Sequence, residues 1–214
     1  MKRFLILLAL NNVISIIFAQ TCPDSNHPHA IDLGFGVKFA CCNVGASSPE
    51  EDGEYYAWGE TKEKSIYSMI DYRYGGNDQY KRYQDIGDDI AGSQYDVAHV
   101  KWQGSWRMPT KEQLELLRDS CKIELIKYKR VKGCRFTGPN GNSIFLPGSG
   151  SYWYNETPRN DYSGSYWSST SSTERSNGTG DSFFLCFGYG FDKTYVRVNH
   201  ADRAAGSTIR PVTE

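Results

Sequence analysis

Glu60 follows the run Tyr55-Tyr56-Ala57-Trp58-Gly59, and a carboxyl set behind aromatic rings is a candidate catalytic acid, with Asp96 as its acidic partner. The plainer reading makes Glu60 a buried structural carboxylate. A buried unpaired charge is too costly to keep, so a cationic partner is expected, Arg107 or Arg210. Asp85, Asp88, Asp89 and Asp96 crowd into DIGDDIAGSQYDVAH and offer the several oxygen ligands that calcium takes. They lack the D-x-D-x-D-G order of a dedicated calcium loop. A solvated acidic turn is therefore expected; structural calcium is the one cofactor candidate, and otherwise none is expected. His27 and His29 flank Pro28 and read as exposed rather than ligating, and His99 in DVAHV reads as half-buried. The chain has no G-x-S-x-G, no H-E-x-x-H and no phosphate-binding loop. Gly34 and Gly36 lack the third glycine and the helix that a nucleotide fingerprint requires.

Six cysteines remain: Cys22, Cys41, Cys42, Cys121, Cys134 and Cys186. None is spaced C-x-x-C, which leaves zinc ribbons and thioredoxin-type redox chemistry without support. Cys186 sits in the apolar SFFLCFG and reads as structural, because a reactive thiolate needs an electropositive, accessible site. The first nineteen residues read as a secretory signal. Lys2 and Arg3 precede FLILLALNNVISIIFA, and cleavage after Ala19 is expected. Asn11, Asn12 and Ser15 interrupt the apolar stretch, which falls short of the roughly 20 residues of a membrane span. The mature chain is thus expected to be secreted or at the cell surface and not membrane-spanning. An even cysteine count in an exported chain favours disulfides, with their connectivity open. The charge balance, 24 Lys+Arg against 25 Asp+Glu, offers no basic patch for nucleic acid.

The elements that must position these groups are mostly short. GSWRMPTKEQLELLRDSC announces a helix: Thr110 caps, Gln113 completes the capping box, and Pro109 fixes the entry. Leu114, Leu117 and Cys121 form one apolar stripe with Leu116 beside it, while Lys111, Glu112, Glu115 and Arg118 take the wet side. Such a stripe must lie on a sheet. Strands are expected at 32–45, 53–58, 134–137, 143–146, 166–169, 182–187, 194–199 and 208–212, with Asn140-Gly141 as a hairpin turn. Residues 59–104 read as a long irregular loop. The expectation is one α+β domain over 32–214, after a signal over 1–19 and an amino-terminal segment over 20–31.

Residues 150–206 are rich in Tyr, Trp, Ser, Gly, Asn and Arg, the mixture that binding loops use. Tyr154, Tyr162, Tyr189, Tyr195 and Arg197 are the candidate ligand-binding residues. Trp106, Leu114, Leu117, Phe145, Trp167 and Phe184 are expected to fill the core.

The stretches DLGFGVKFACCNVGASSPEEDGEYYAWGET, VAHVKWQGSWRMPTKEQLELL, NGNSIFLPGSG, GSYWSST and IRPV occur in this order over 32–212. Together they resemble the Fibrobacter-type major paralogous domain family, common in exported proteins of Bacteroidetes-like bacteria. That family is similar to the C-type-lectin-like group, whose formylglycine-generating branch carries R-L-P-T-E-x-E-W where this chain has Arg107-Met108-Pro109-Thr110-Lys111-Glu112-Gln113-Leu114. The resemblance implies a C-type-lectin-like fold of twisted, short antiparallel strands with about two helices and long loops. Its family positions also imply a Cys42–Cys121 disulfide. Cys134 and Cys186, on two predicted strands, are expected to pair next, which leaves Cys22 with Cys41.

The chain departs from both characterised branches of that group. It lacks the late reactive cysteine pair of the formylglycine-generating enzymes. It also lacks the Glu-Pro-Asn, Gln-Pro-Asp and Trp-Asn-Asp tripeptides of calcium-dependent sugar binding. Some related lectin-like domains are the variable binding proteins of diversity-generating retroelements, with changes concentrated in this C-terminal portion. The expectation is a non-catalytic module that recognises an extracellular protein or glycan. The alternatives are an enzyme on the same scaffold or a structural surface component.

Overall fold

A computed structural model describes residues 29–78, 81–153, 162–172, 180–189 and 194–214. Antiparallel sheets of two or three strands and two helices make it an α+β fold. β1 (Ala30–Asp32) and β2 (Lys38–Ala40) stand where one longer strand is expected. Gly34 and Gly36 adopt φ of 94° and 88°, a left-handed turn that breaks the run. The two strands join β11 (Val212–Thr213) in the order β1-β2-β11. β3 (Gly75–Asp78) and β4 (Lys81–Tyr83) form a small ribbon.

α1 (Val97–Trp102) falls where only a loop is expected. Asp96 caps it by accepting from the His99 N–H. α2 (Lys111–Ser120) has the expected capping box between Thr110 and Gln113, with Leu114 and Leu117 buried beneath it. The next sheet holds β5 (Lys122–Tyr128), β6 (Val131–Thr137) and β7 (Ser143–Pro147) in that order. The largest holds β8 (Gly164–Ser172), β9 (Asp181–Tyr189) and β10 (Thr194–Asp202) in the order β10-β9-β8.

This last sheet divides two cores, because successive side chains on a strand point to opposite faces. Tyr166 and Leu185, register partners, enter a core with Leu114, Leu117, Phe136 and Val212 under α2. Trp167 and Phe184, the next pair, turn to a second core with Tyr56, Trp58, Trp102 and Ile209. Leu114, Leu117, Phe145 and Trp167 are buried as expected, whereas Trp106 and Phe184 are half-buried against the Trp58 core.

The same division corrects the disulfides. Cys42 belongs to the Trp58 core and Cys121 packs against the α2 core, so they do not meet. Cys134 lies in the α2 core beside Leu185 and Phe187, while strand alternation turns Cys186 to the opposite face of β9. Cys121, Cys134 and Cys186 are free thiols, and neither Cys42–Cys121 nor Cys134–Cys186 is formed. The Cys22–Cys41 pairing lies outside the described residues.

The expected strand at 53–58 is not a ladder strand. Its amides bond singly, Tyr56 N–H to the Ser207 carbonyl (3.0 Å) and Trp58 N–H to the Arg203 carbonyl (2.9 Å). Its Tyr55 and Ala57 found a third cluster with Tyr67, Tyr72, Tyr83 and Ala204. Buried phenols need acceptors, and these find backbone carbonyls: Tyr55 donates to Ser149, Tyr67 to Tyr55 and Tyr72 to Trp58. This cluster orders much of the polar stretch read as irregular. Gly206 permits the closest approach, since a Cβ there would lie 2.7 Å from the Tyr67 ring.

Candidate functional site

The β9–β10 register runs without interruption from Tyr189–Thr194 to Asp181–Asp202. It thereby sets two carboxylates opposite each other at the end of the hairpin, with His200 two pairs in and on the same face. His200 Nδ1 lies 2.7 Å from Asp181 Oδ2. The Asp181 side chain is only 3 % exposed and that of His200 23 %. A buried carboxylate beside one ring nitrogen fixes the proton there, which leaves Nε2 for a ligand. No described residue bonds that nitrogen.

Asp202 Oδ1 accepts from the Tyr83 hydroxyl and from the Ala204 N–H. Arg203 turns inward, its guanidinium 4.3 Å from the Trp58 ring and its Nε directed at the Asp181 carbonyl. Burial pulls this guanidinium below its ordinary value, with nearby Tyr72, Tyr83, Asp85 and Asp181 opposing the shift.

These groups border an open cleft of 530 Å³ whose other walls include Ser151, Trp153, Ala201 and Ala205. Its size is that of a small-molecule site, and it joins an aromatic wall to a few convergent polar groups. The Asp202 carboxylate accepts hydroxyl protons, an imidazole nitrogen and a serine hydroxyl donate or accept, and an indole offers a flat apolar face. A polyhydroxylated ring presents the complementary features.

The residues expected to bind ligand are not gathered on one face. Tyr154 lies outside the described residues. Tyr162 and Tyr189 approach each other, ring centroids 6.4 Å apart, with the Lys132 ammonium 5.3 Å from the Tyr162 ring. Tyr189 is 69 % exposed and Tyr162 half-buried. Tyr195 and Arg197 form a second group, the guanidinium 5.4 Å from the ring. Tyr195 is the register partner of Gly188 and its hydroxyl lies over that glycine, so it occupies the face of β9 opposite to Tyr189.

Glu60 is buried and structural, but its partner is Lys64 at 2.9 Å rather than Arg107 or Arg210, and it also accepts from the Arg73 N–H. Arg107 instead donates to Gln113 Oε1. Asp96 accepts from the amides of Gly92, His99 and Met108, an arrangement that holds a turn and a helix start. Asp85 and Asp89 close turns onto Gly87 and Ala91, and Asp88 meets the Ser171 hydroxyl. Among the described residues no three His, Cys, Asp or Glu side chains converge on a metal position. Burial raises the Cys186 thiol in spite of nearby Arg197, the wrong direction for a nucleophile. His29 approaches Cys41 at 3.7 Å, and His27 lies outside the described residues.

Asp181, His200, Asp202 and Trp153 escape a reading of residue types because they belong to no motif. Their signal is the hairpin register. Strands predicted at 182–187 and 194–199, paired end to end, set Asp181 opposite His200; the observed register is shifted by two and sets Asp181 opposite Asp202, with His200 on the same face. Compared with family models, with curated proteins and with solved structures, the chain matches none.

Proposed function

We propose that this chain is an exported, non-catalytic recognition module that binds a glycan in the cleft at the end of β9 and β10. The observation that carries the reading is the Asp181–His200 pair facing a cleft shared with Asp202 and Trp153. The charged nineteen-residue start supports export, and the ordered resemblance to the Fibrobacter-type major paralogous domain supports a C-type-lectin-like scaffold. Within this reading the ligand's hydroxyls bond Asp202 and His200 Nε2, Asp181 orients the imidazole from beneath, and the ligand's ring lies against Trp153. No calcium is needed, since protein carboxylates and imidazole meet the sugar directly.

A second reading rests on the same pair. An imidazole oriented by a buried carboxylate is the arrangement a general base requires, so the cleft also suits hydrolysis of a bound glycan. One experiment separates the two. The purified chain is screened on a glycan array beside Asp181→Asn and Trp153→Ala. The expected result is capture of a defined glycan class by the wild type, weakened at least about tenfold in each variant, with little change in melting temperature. The recovered glycan should be intact. Capture that survives both substitutions would remove the cleft from the account, and cleavage of the recovered glycan would establish the second reading in place of the first.

A further inference from the structure

β10 is the outer strand of its sheet, and its outer edge is long and regular. The direction of its backbone groups follows from two contacts. The Phe183 carbonyl turns toward β8, where it accepts from the Ser168 hydroxyl at 2.8 Å. The N–H of His200, the register partner of Phe183, donates to Asn199 Oδ1 instead of to β9. That pair is therefore not hydrogen-bonded, and antiparallel alternation turns the N–H and C=O groups of Thr194, Val196, Val198 and His200 away from β9. Among the described residues no hydrogen bond reaches the outward groups of Thr194, Val196 or Val198.

The edges of β8, β5 and β7 are protected. The outward amides of β8 bond Thr208, Pro109 and Asp88, from Trp167, Ser169 and Ser171 respectively. β5 carries Lys122, Glu124 and Lys127, and β7 ends in Pro147. Charge, proline, bulges and covering segments are the usual means of blocking an edge. β10 has no proline and no break in its register over nine residues, and Arg197 is its one basic guard.

The geometry points to a symmetric homodimer in which β10 pairs antiparallel with β10 of a second copy, making one continuous six-stranded sheet. A two-fold axis through Val198 aligns all nine residues of both strands. It sets Val198 against Val198 of the second copy, Val196 against His200, and Arg197 against Asn199. The His200 amide exchanges the Asn199 side chain for the facing Val196 carbonyl. Sliding by one repeat in one direction brings Arg197 against Arg197, which like charges oppose. Sliding in the other direction leaves residues at both ends unpaired. A self-complementary edge of this kind is what a two-fold interface requires. The pairing also sets Tyr195 of the second copy opposite Ala201, at about 4.5 Å between Cα atoms, so each copy supplies an aromatic residue to the rim of the other's cleft.

Sedimentation of the purified full chain over a roughly hundredfold concentration range tests the interface independently of any ligand. The wild type is expected to be a concentration-dependent dimer. Asn199→Arg, an exposed position, sets Arg against Arg197 twice and should weaken the dimer at least about tenfold. Adding Arg197→Glu to that variant restores opposite charges and should restore the dimer. A wild type that stays monomeric throughout overturns the proposal. So does a dimer indifferent to Asn199→Arg, because its interface then lies elsewhere.

Discussion

Arg210→Ala is expected to destabilise the chain by about 4 kcal/mol and to lower its melting temperature by roughly 10 °C. Arg210 is 1 % exposed, and its guanidinium joins three separate parts of the chain. Nε donates to Asn43 Oδ1 at 2.8 Å, Nη1 to the carbonyls of Ala40 and Cys41 at 3.0 and 2.7 Å, and Nη2 to the Phe145 carbonyl at 2.9 Å. Alanine leaves several of these buried oxygens without their donor, and each such loss costs about 1–3 kcal/mol before relaxation. Lysine keeps the charge but concentrates its donors at one point, so it cannot reach oxygens spread around a planar fork. Arg210→Lys should therefore recover less than half of the loss. Urea unfolding of the three proteins checks the order, and a lysine variant as stable as the wild type would show that charge alone matters at this position.

Trp167→Ala is expected to cost a similar amount, about 4 kcal/mol, through a different mechanism. The indole is fully buried between β9 and the 55–58 segment, edge-on to Phe184 with ring centroids 5.8 Å apart. Its Nε1–H donates to the Tyr56 carbonyl at 2.9 Å. Alanine removes both the volume and the donor. Trp167→Phe retains most of the volume, and the Tyr56 carbonyl keeps the Ser207 amide as a donor. The phenylalanine variant should thus cost only about 1–2 kcal/mol. Equal losses for the two variants would assign the effect to the hydrogen bond rather than to packing.

Both residues show which features the sequence carries plainly. Trp167 lies in the GSYWSST stretch, and alternation alone sends it to a core. The capping box of Thr110 and Gln113 and the Asn140-Gly141 turn, where Gly141 has φ of 87°, are local devices and are formed as read. α1 is harder to see because it has six residues and depends on Asp96, whose carboxylate also holds Met108 across a turn. β5 was missed for a related reason. Its two lysines, its glutamate and its tyrosine dilute an alternation in which only Ile123 and Leu125 pack against the α2 core.

The site was less legible than the fold. Residue type drew attention to the tyrosines, of which Tyr189 and Tyr195 lie on opposite faces, and to Glu60, which Lys64 neutralises. Asp181 and His200 are nineteen residues apart in the chain and meet only through the β9–β10 register. The cysteines mislead in the same way, since counting them says nothing about which of two cores each side chain enters.

The central claim is that the Asp181–His200 cleft holds the ligand. A crystal structure of the chain soaked with the glycan captured on the array tests it most directly. The account predicts a sugar ring against Trp153, with hydroxyl oxygens within hydrogen-bond distance of Asp202 or His200 Nε2. A sugar seated instead on Tyr162 and Tyr189, or on Tyr195 and Arg197, with the cleft empty, would contradict it.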